Sequence, residues 1–196
     1  MPDFLNLKAK KLKYTDALIY CTIRSYMNDM AYCYPSYEKI AERSGTSRSF
    51  VINSIKRLEE SKHLIIQRSN VNHTCNRYYF DKKLQRFERV PFDLLNTDLS
   101  LYEKSMMLCV RQFFNEGLLQ STWTINKMAI ALGLSYRTVH AQINNLMDKK
   151  YISEKEYTSN KYKSSFKYYF ITNKIDWVYK FDTRGIENND LIKIME

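Results

Sequence analysis

The chain of 196 residues repeats much of its own pattern after an interval of 88 residues. Gly45-Thr46-Ser47 aligns in this way with Gly133-Leu134-Ser135. Further identities at the same interval are Tyr14 with Tyr102, Cys21 with Cys109, Lys39 with Lys127, Ala41 with Ala129, Val51 with Val139, Ile55 with Ile143, Leu58 with Leu146 and Lys62 with Lys150. Most of these residues are apolar and recur at helical spacing, so we expect the two repeats to share the same tertiary fold.

The repeat predicts two small domains in tandem, residues 1–83 and 99–172, separated by a linker at 84–98 and followed by a tail at 173–196. Domains of roughly 80 residues are small but within the range that folds alone. The expected fold class is mainly α with small β-hairpins, that is, α+β. We expect the tail to pack on the second domain, with docking to a second copy or another protein as the alternative.

The first repeat carries start and stop signals for three helices. Thr15, Ser36 and Ser47 are placed to cap the N-termini of helices 1, 2 and 3. Gly45 is placed to end helix 2 in a left-handed C-cap. Apolar residues at 51, 55 and 58 predict the buried face of helix 3. Segments 63–66 and 77–80 predict two strands joined by a polar hairpin loop.

The second repeat follows the same order. Ser100 leads into its helix 1, Thr124 and Ser135 are placed as caps of helices 2 and 3, and Gly133 breaks between them. Segments 151–153 and 166–171 predict the strands. Aligning 78–80 with 168–170 predicts a second hairpin loop two residues longer than the first. Residues 82–89, at the end of the first domain and the start of the linker, are expected to form a short helix that joins the two domains.

Net charge is +10 and is concentrated in the first repeat. Residues 1–90 hold 17 Lys and Arg against 9 Asp and Glu, residues 91–172 hold 10 against 7, and residues 173–196 hold 4 against 5. A basic surface raises the on-rate and the non-specific affinity for polyanions. The first repeat is therefore the better candidate for nucleic-acid contact.

The four cysteines form no C-x-x-C pair, and no apolar run follows Met1 as a signal peptide would require. No stretch approaches the length of a membrane span. Together these features predict a reducing compartment, the cytoplasm, and no membrane partner.

Around each Gly-x-Ser segment lies the pattern of a helix-turn-helix. A helix fits the major groove of B-DNA, and polar side chains in its N-terminal half can reach base edges. A tight turn sets the angle between the bracing helix and the reading helix. Of only four glycines in the chain, Gly45 and Gly133 lie at those two turns.

The outward face of each third helix and the hairpin beside it supply the candidate DNA-contacting residues. Arg48 and Asn53 suit base contacts, because Arg pairs with guanine edges and Asn with adenine edges. The candidates for the DNA backbone in the first repeat are Ser47, Ser49, Lys56, Arg57, Arg68 and Arg77. The second repeat offers Tyr136, Arg137, His140 and Asn144 on its third helix, and Lys161 and Lys163 in its hairpin, and this set favours phosphate contact over base reading.

Four segments carry a resemblance to a known group: Tyr34-Pro35-Ser36-Tyr37-Glu38-Lys39-Ile40-Ala41, Ser44-Gly45-Thr46-Ser47-Arg48, Val51 through Ile65, and Arg77-Tyr78-Tyr79-Phe80. In these the chain resembles the winged helix-turn-helix domains of phage and plasmid replication initiators and related phage regulators. The resemblance covers most of residues 12–80 and, more loosely, 99–171. It implies a reader of double-stranded DNA that acts in replication or in transcription. Asn53 and Ala141 stand where the group commonly has Arg or Lys.

Two other classes of function are weighed against this one. An enzyme is disfavoured, because the three histidines form no H-x-H or H-E-x-x-H motif and no Gly-rich phosphate loop is present. No cofactor or metal is expected. The second class is a winged-helix adaptor that binds a host protein instead of DNA. DNA binding predicts a basic stripe along helix 3 and the wing, whereas an adaptor predicts an apolar patch there.

Overall fold

In the computed structural model of the chain, the described residues are 4–28, 30–69, 75–80, 90–115, 119–159 and 164–177. They form an α+β fold with six α-helices and two three-stranded antiparallel sheets. The first unit contains α1 (Asp16–Arg24), β1 (Tyr32–Cys33), α2 (Tyr37–Ser44), α3 (Arg48–Glu60), β2 (Ile65–Gln67) and β3 (Arg77–Tyr79). The second contains a 3₁₀ helix (Phe92–Asn96), α4 (Leu101–Arg111), β4 (Gln120–Ser121), α5 (Ile125–Leu132), α6 (Tyr136–Asp148), β5 (Ile152–Ser159) and β6 (Ser164–Ile171).

The predicted helix boundaries at both helix-helix turns are confirmed. Ser36 and Ser47 accept the backbone N–H of the third helical residue, as Thr124 and Ser135 do in the second unit. These bonds satisfy amides that have no partner within the helix. The glycines that follow α2 and α5 adopt left-handed φ angles of 67° and 70°.

Thr15 does not cap α1, contrary to the sequence-based expectation. Its backbone is already helical and its side chain makes no capping bond. The carboxylate of the next residue, Asp16, instead accepts the backbone N–H of Lys13 at 2.8 Å.

Each sheet has a short edge strand that the sequence did not predict, because β1 and β4 contain only two residues each. The strand orders are β1-β3-β2 and β4-β6-β5. Ile66 pairs with Tyr78, and Glu154 pairs with Tyr169. Tyr78 is therefore equivalent to Tyr169, an interval of 91 residues, and the second hairpin loop is three residues longer than the first, not two.

Helix α1 lies at the centre of the molecule, and every residue from Asp16 to Ile23 is buried. A helix that is covered all round must pack on several neighbours. It contacts α2 and α3 of its own unit and α4 of the second unit. Across the contact between α1 and α4, the repeat equivalents Tyr14 and Tyr102 meet with ring centroids 6.3 Å apart.

A buried carboxylate joins α1 to α3. The guanidinium of Arg57 donates to both oxygens of Asp16, with Nε to Oδ2 at 2.9 Å and Nη2 to Oδ1 at 2.6 Å. The hydroxyl of Ser54 also donates to Oδ1. The Asp16 side chain is completely buried, so this pairing satisfies a charge that would otherwise be costly.

A different ion pair holds the corresponding helices of the second unit. Ser100 and Glu103 form a reciprocal capping box at the start of α4. Glu103 Oε2 also accepts from the ammonium of Lys149, directly after α6, at 2.8 Å. Burial raises the pKa of Glu103, but the hydrogen bonds from Lys149 and Ser100 outweigh burial and the net pKa is lowered.

The first part of the tail packs on the second unit, as expected. Ile175 and Trp177 are buried, and the guanidinium of Arg111 on α4 lies 5.7 Å from the indole ring. Residues 178–196 and the predicted linker helix at 82–89 lie outside the described residues. Within the described ranges, no helix combines the length and the apolar character that spanning a bilayer requires.

Replacing Asp16 with Ala should destabilise the protein by about 3 kcal/mol, because the Arg57 guanidinium then loses its buried partner. The free energy of unfolding measured in urea checks this. Asp148→Ala is the matched control: this exposed carboxylate ends α6, and its loss should change stability by less than about 0.5 kcal/mol. Equal effects of the two substitutions would contradict the role of the buried pair.

Glu103→Gln should lower the free energy of unfolding by about 1 kcal/mol at pH 7. A carboxylate with a lowered pKa stabilises the folded state fully above its unfolded pKa, about 4.3 for Glu, and loses that contribution as pH falls through the folded pKa. The difference between wild type and Glu103→Gln should therefore start to shrink as pH falls below about 4.3 and should vanish below the lowered folded pKa. Urea unfolding at a series of pH values measures it, and a difference independent of pH would refute the assignment.

Candidate nucleic-acid interface

The N-terminal half of α3 presents a polar surface to solvent. Ser47, Arg48, Ser49, Asn53 and Lys56 are all exposed. Their opposite face is apolar and buried through Val51, Ile55 and Leu58, as the sequence predicted. Helix α3 therefore packs with one face and exposes the other. Five of its six candidate DNA-contacting residues lie on the exposed face.

Arg48 is held in place at the start of this surface. Its Nε donates to Oε1 of Glu38 at 2.6 Å, and its guanidinium lies 5.4 Å from the ring centroid of Tyr37. Both partners come from the first turn of α2, across the helix-helix turn. The Glu38 backbone amide, followed by the Arg48 guanidinium, lowers the pKa of the Glu38 carboxyl, which stays ionised.

Tyr37 also joins this surface to the base of the first hairpin, formed by β2 and β3, which we call the first wing. Its hydroxyl accepts a hydrogen bond from Nδ2 of Asn76, directly before β3, at 2.8 Å. The start of α3, the start of α2 and the base of the hairpin thus form one connected polar surface. Neither Tyr37 nor Glu38 is among the residues that the sequence predicts for this surface, because neither role has a signal in the spacing of the chain.

Arg57 does not lie on the displayed face with Lys56, contrary to the sequence-based assignment. Its guanidinium turns towards α1 and is bound by Asp16, so the side chain is only 21% exposed. Helical geometry alone permitted either direction, because position 57 lies between the buried and the exposed stripes. We therefore assign Arg57 to positioning α3 instead of to phosphate contact.

The described part of the first wing presents two further arginines. Arg68 forms a two-point ion pair with Glu59 at 2.7 and 2.5 Å, yet its side chain is 61% exposed. Arg77 is exposed on β3, and its guanidinium lies 5.0 Å from the centroid of the Tyr32 ring on β1. Both candidates are accessible to a ligand.

In the second unit, three candidates form a ladder along α6. The rings of Tyr136 and His140 are stacked with centroids 5.2 Å apart, and Asn144 Nδ2 lies 3.3 Å from His140 Nδ1. Arg137 is exposed, and it forms no ion pair with any other residue that the structure describes. Lys161 and Lys163 lie outside the described residues.

The described part of the second hairpin carries two lysines in different environments. The ammonium of Lys167 on β6 pairs with Glu154 on β5 at 2.8 Å, and Lys155 lies 5.5 Å from the Phe170 ring centroid. The rings of Tyr157 and Tyr168 meet edge to face at 5.0 Å. This surface combines aromatic rings with one paired and one exposed cation.

The part of the chain that the structure describes holds no group of three or more His, Cys, Asp or Glu placed to bind a metal ion. The cysteines differ in environment. Cys21, Cys33 and Cys109 are buried, and burial raises the pKa of Cys21 and of Cys33 to about 12. Cys75 is exposed at the base of the first wing.

Residues 10–64 match a family model described as a helix-turn-helix domain. The match begins in the segment before α1, includes α2, the Gly45 turn and α3, and ends directly before β2. The first unit therefore contains a helix-turn-helix domain. No curated protein matches the chain.

Cysteine labelling tests the geometry around the first wing. One thiol should react rapidly with a disulfide reagent in the native protein, and four should react in guanidinium, because three thiols are buried and protonated. Absorbance of the released thiolate counts them. Cys75→Ser should abolish the rapid phase. Rapid native labelling that persists in this variant would contradict the burial of the other three cysteines.

Proposed function

We propose that this protein is a sequence-specific reader of double-stranded DNA with two tandem winged helix-turn-helix domains. Its proposed setting is the cytoplasm, as a transcription regulator or replication initiator of a phage or plasmid. The connected polar surface formed by α3, Tyr37 and the wing base carries the proposal. The match to a helix-turn-helix domain at residues 10–64 supports it.

The exposed N-terminal half of α3 has the chemistry that a major groove requires. Arg48 and Asn53 can each form two hydrogen bonds to one base edge, and hydroxyls at Ser47 and Ser49 can donate to phosphates. The wing base lies on the same surface through Asn76 and Tyr37. A helix in the groove and a hairpin against the neighbouring backbone can therefore contact the duplex together.

The carboxylates beside these cations do not oppose DNA binding strongly. Arg48, Lys56 and Arg68 each have an acidic partner, but all three side chains are more than half exposed. Exposed ion pairs contribute about 0–1 kcal/mol, since water and salt screen them. A phosphate or guanine edge that forms charge-assisted bonds can replace a carboxylate at small cost.

The second unit supports a second winged domain through its order of elements. Helices α4, α5 and α6 and the sheet β4-β6-β5 follow the order of α1, α2, α3 and β1-β3-β2. Its α6 displays Tyr136 at the position of Arg48 in α3, and Arg137 at the position of Ser49. With one exposed arginine and a tyrosine, this helix suits contact with the DNA backbone more than base reading.

The proposed phage or plasmid setting depends on the resemblance of residues 34–65 and 77–80 to replication initiators and phage regulators. Both groups use a winged domain to recognise duplex sites, so the same surface serves either outcome. Mapping the motif that the protein selects beside an origin or a promoter would separate the two.

A protein-binding role for the second unit is the alternative, and one observation favours it. Ile130 on α5 is 72% exposed, and Trp123, which precedes this helix, is 40% exposed. No large apolar side chain of α3 is similarly exposed. An adaptor surface centred on α5 would therefore lie on the second unit, while α3 of the first unit keeps the features of a DNA reader.

Arg48→Ala should weaken binding to the selected duplex by about 1–3 kcal/mol and relax base preference at one position. Selection from a random duplex library, followed by fluorescence anisotropy, measures both effects. Lys13→Ala is the matched control, because it removes one exposed positive charge before α1. It should leave base preference unchanged.

The salt dependence of wild-type binding tests the phosphate contacts independently. The logarithm of the binding constant should fall linearly with the logarithm of salt concentration, since bound phosphates release counterions. Two results would overturn the proposal: a slope near zero, or an Arg48→Ala protein that selects the same motif with unchanged affinity.

A further inference from the structure

The residues before α1, which we call the leader (residues 4–13), join the two units. Backbone N–H groups of Asn6 and Leu7 donate to the carbonyl oxygens of Ala131 and Leu132 at 2.8 and 2.9 Å. These are the last two carbonyls of α5, which have no partner within that helix. The leader thus supplies the missing donors at the end of the bracing helix of the second unit.

The other end of the same segment is buried in the first unit. The ring of Phe4 is fully buried, with its centroid 5.9 Å from that of Tyr20 on α1 and 5.5 Å from that of His63 after α3. Leu7 is also fully buried, and the N–H of Leu12 donates back to its carbonyl at 2.9 Å. Four consecutive residues therefore reach from one core to the helix end of the other unit.

The corresponding helix end in the first unit lacks this contact. The equivalents of Ala131 and Leu132 are Arg43 and Ser44, and no backbone donor from outside α2 reaches their carbonyls within the described residues. A Cβ built on Gly45 meets nothing within 4 Å, whereas one built on Gly133 lies 3.4 Å from the amide nitrogen of Lys8. The leader thus covers one of the two helix-helix turns and leaves the other open.

We infer that residues 4–8 clamp the two units and so set one fixed distance between the DNA-reading helices α3 and α6. The turn at Gly133 connects α5 to α6, so a segment bound at this turn limits the movement of α6. The packing of α1 on α4 adds a second point of attachment between the units. The expected result is a strict spacing between the two halves of the DNA site, and this inference rests on the proposed function.

Duplexes with insertions at the centre of the selected motif test the inference on the wild-type protein. A five-base-pair insertion should weaken binding by about 10²–10⁴-fold, because only one unit can then engage. A ten-base-pair insertion restores the groove phase but adds about 34 Å. Clamped units cannot span that distance, so affinity should stay low, whereas flexibly joined units would recover it.

Two matched pairs of variants identify the leader as the cause. Asn tolerates a left-handed backbone, so Gly133→Asn and Gly45→Asn add similar strain, but only the former places atoms against the leader. Asn6 is exposed and has a positive φ of 50°. A β-branched Val there disfavours the bound conformation of the leader, whereas Asn6→Gly retains it.

Gly133→Asn and Asn6→Val should reduce the penalty for insertions by at least about tenfold. Gly45→Asn and Asn6→Gly should keep the wild-type penalty. Failure of wild type to bind any duplex would remove the proposed function itself. Two results would overturn the clamp alone. One is wild-type binding that tolerates insertions, and the other is an insertion penalty that stays unchanged in both Gly133→Asn and Asn6→Val.

Discussion

The complete burial of α1 is the constraint on which the rest of the structure depends. This helix is covered by α2 and α3 on its own unit and by α4 of the second, so its side chains must fit three neighbours at once. Its polar residues need partners for the same reason. Thr22 donates to the carbonyl of Leu18, and Asp16 binds Arg57 and Ser54. The carboxylate that α1 cannot expose thereby determines the position of α3.

Helix α3 is consequently held at both ends, while its outer face stays free of packing. Asp16 binds its C-terminal half through Arg57, and the first turn of α2 orients Arg48 at its start. The second unit reaches the same arrangement with other groups. Lys104 and Asn145 stand at the positions of Asp16 and Arg57, and Glu103 with Lys149 supplies the connection instead. The two units thus join their first and third helices through different ion pairs. This is expected when apolar packing sets the helix arrangement and polar contacts adapt to it.

Much of the fold could be predicted from local signals, and the failures have identifiable causes. The caps at Ser36, Ser47, Thr124 and Ser135 and the turns at Gly45 and Gly133 depend on a few adjacent residues, so they were predicted correctly. The two-residue strands carry too little pattern to detect. The hairpin register depends on which strand residues pair across the sheet, and similar Tyr-Tyr-Phe segments misled the alignment by one residue. The direction of Arg57 was set by a carboxylate 41 residues away.

The sequence by itself determined that two similar helical units would form and that each would present a polar helix after a glycine turn. Apolar periodicity, capping residues and glycine conformation are local properties, so they can be recognised along the chain. Only the tertiary structure decided which charges are exposed, that Tyr37 joins α3 to the base of the wing, and that the leader binds the C-terminal end of α5. These features depend on groups distant in sequence, whose burial and unmet hydrogen bonds exist only once the helices have packed.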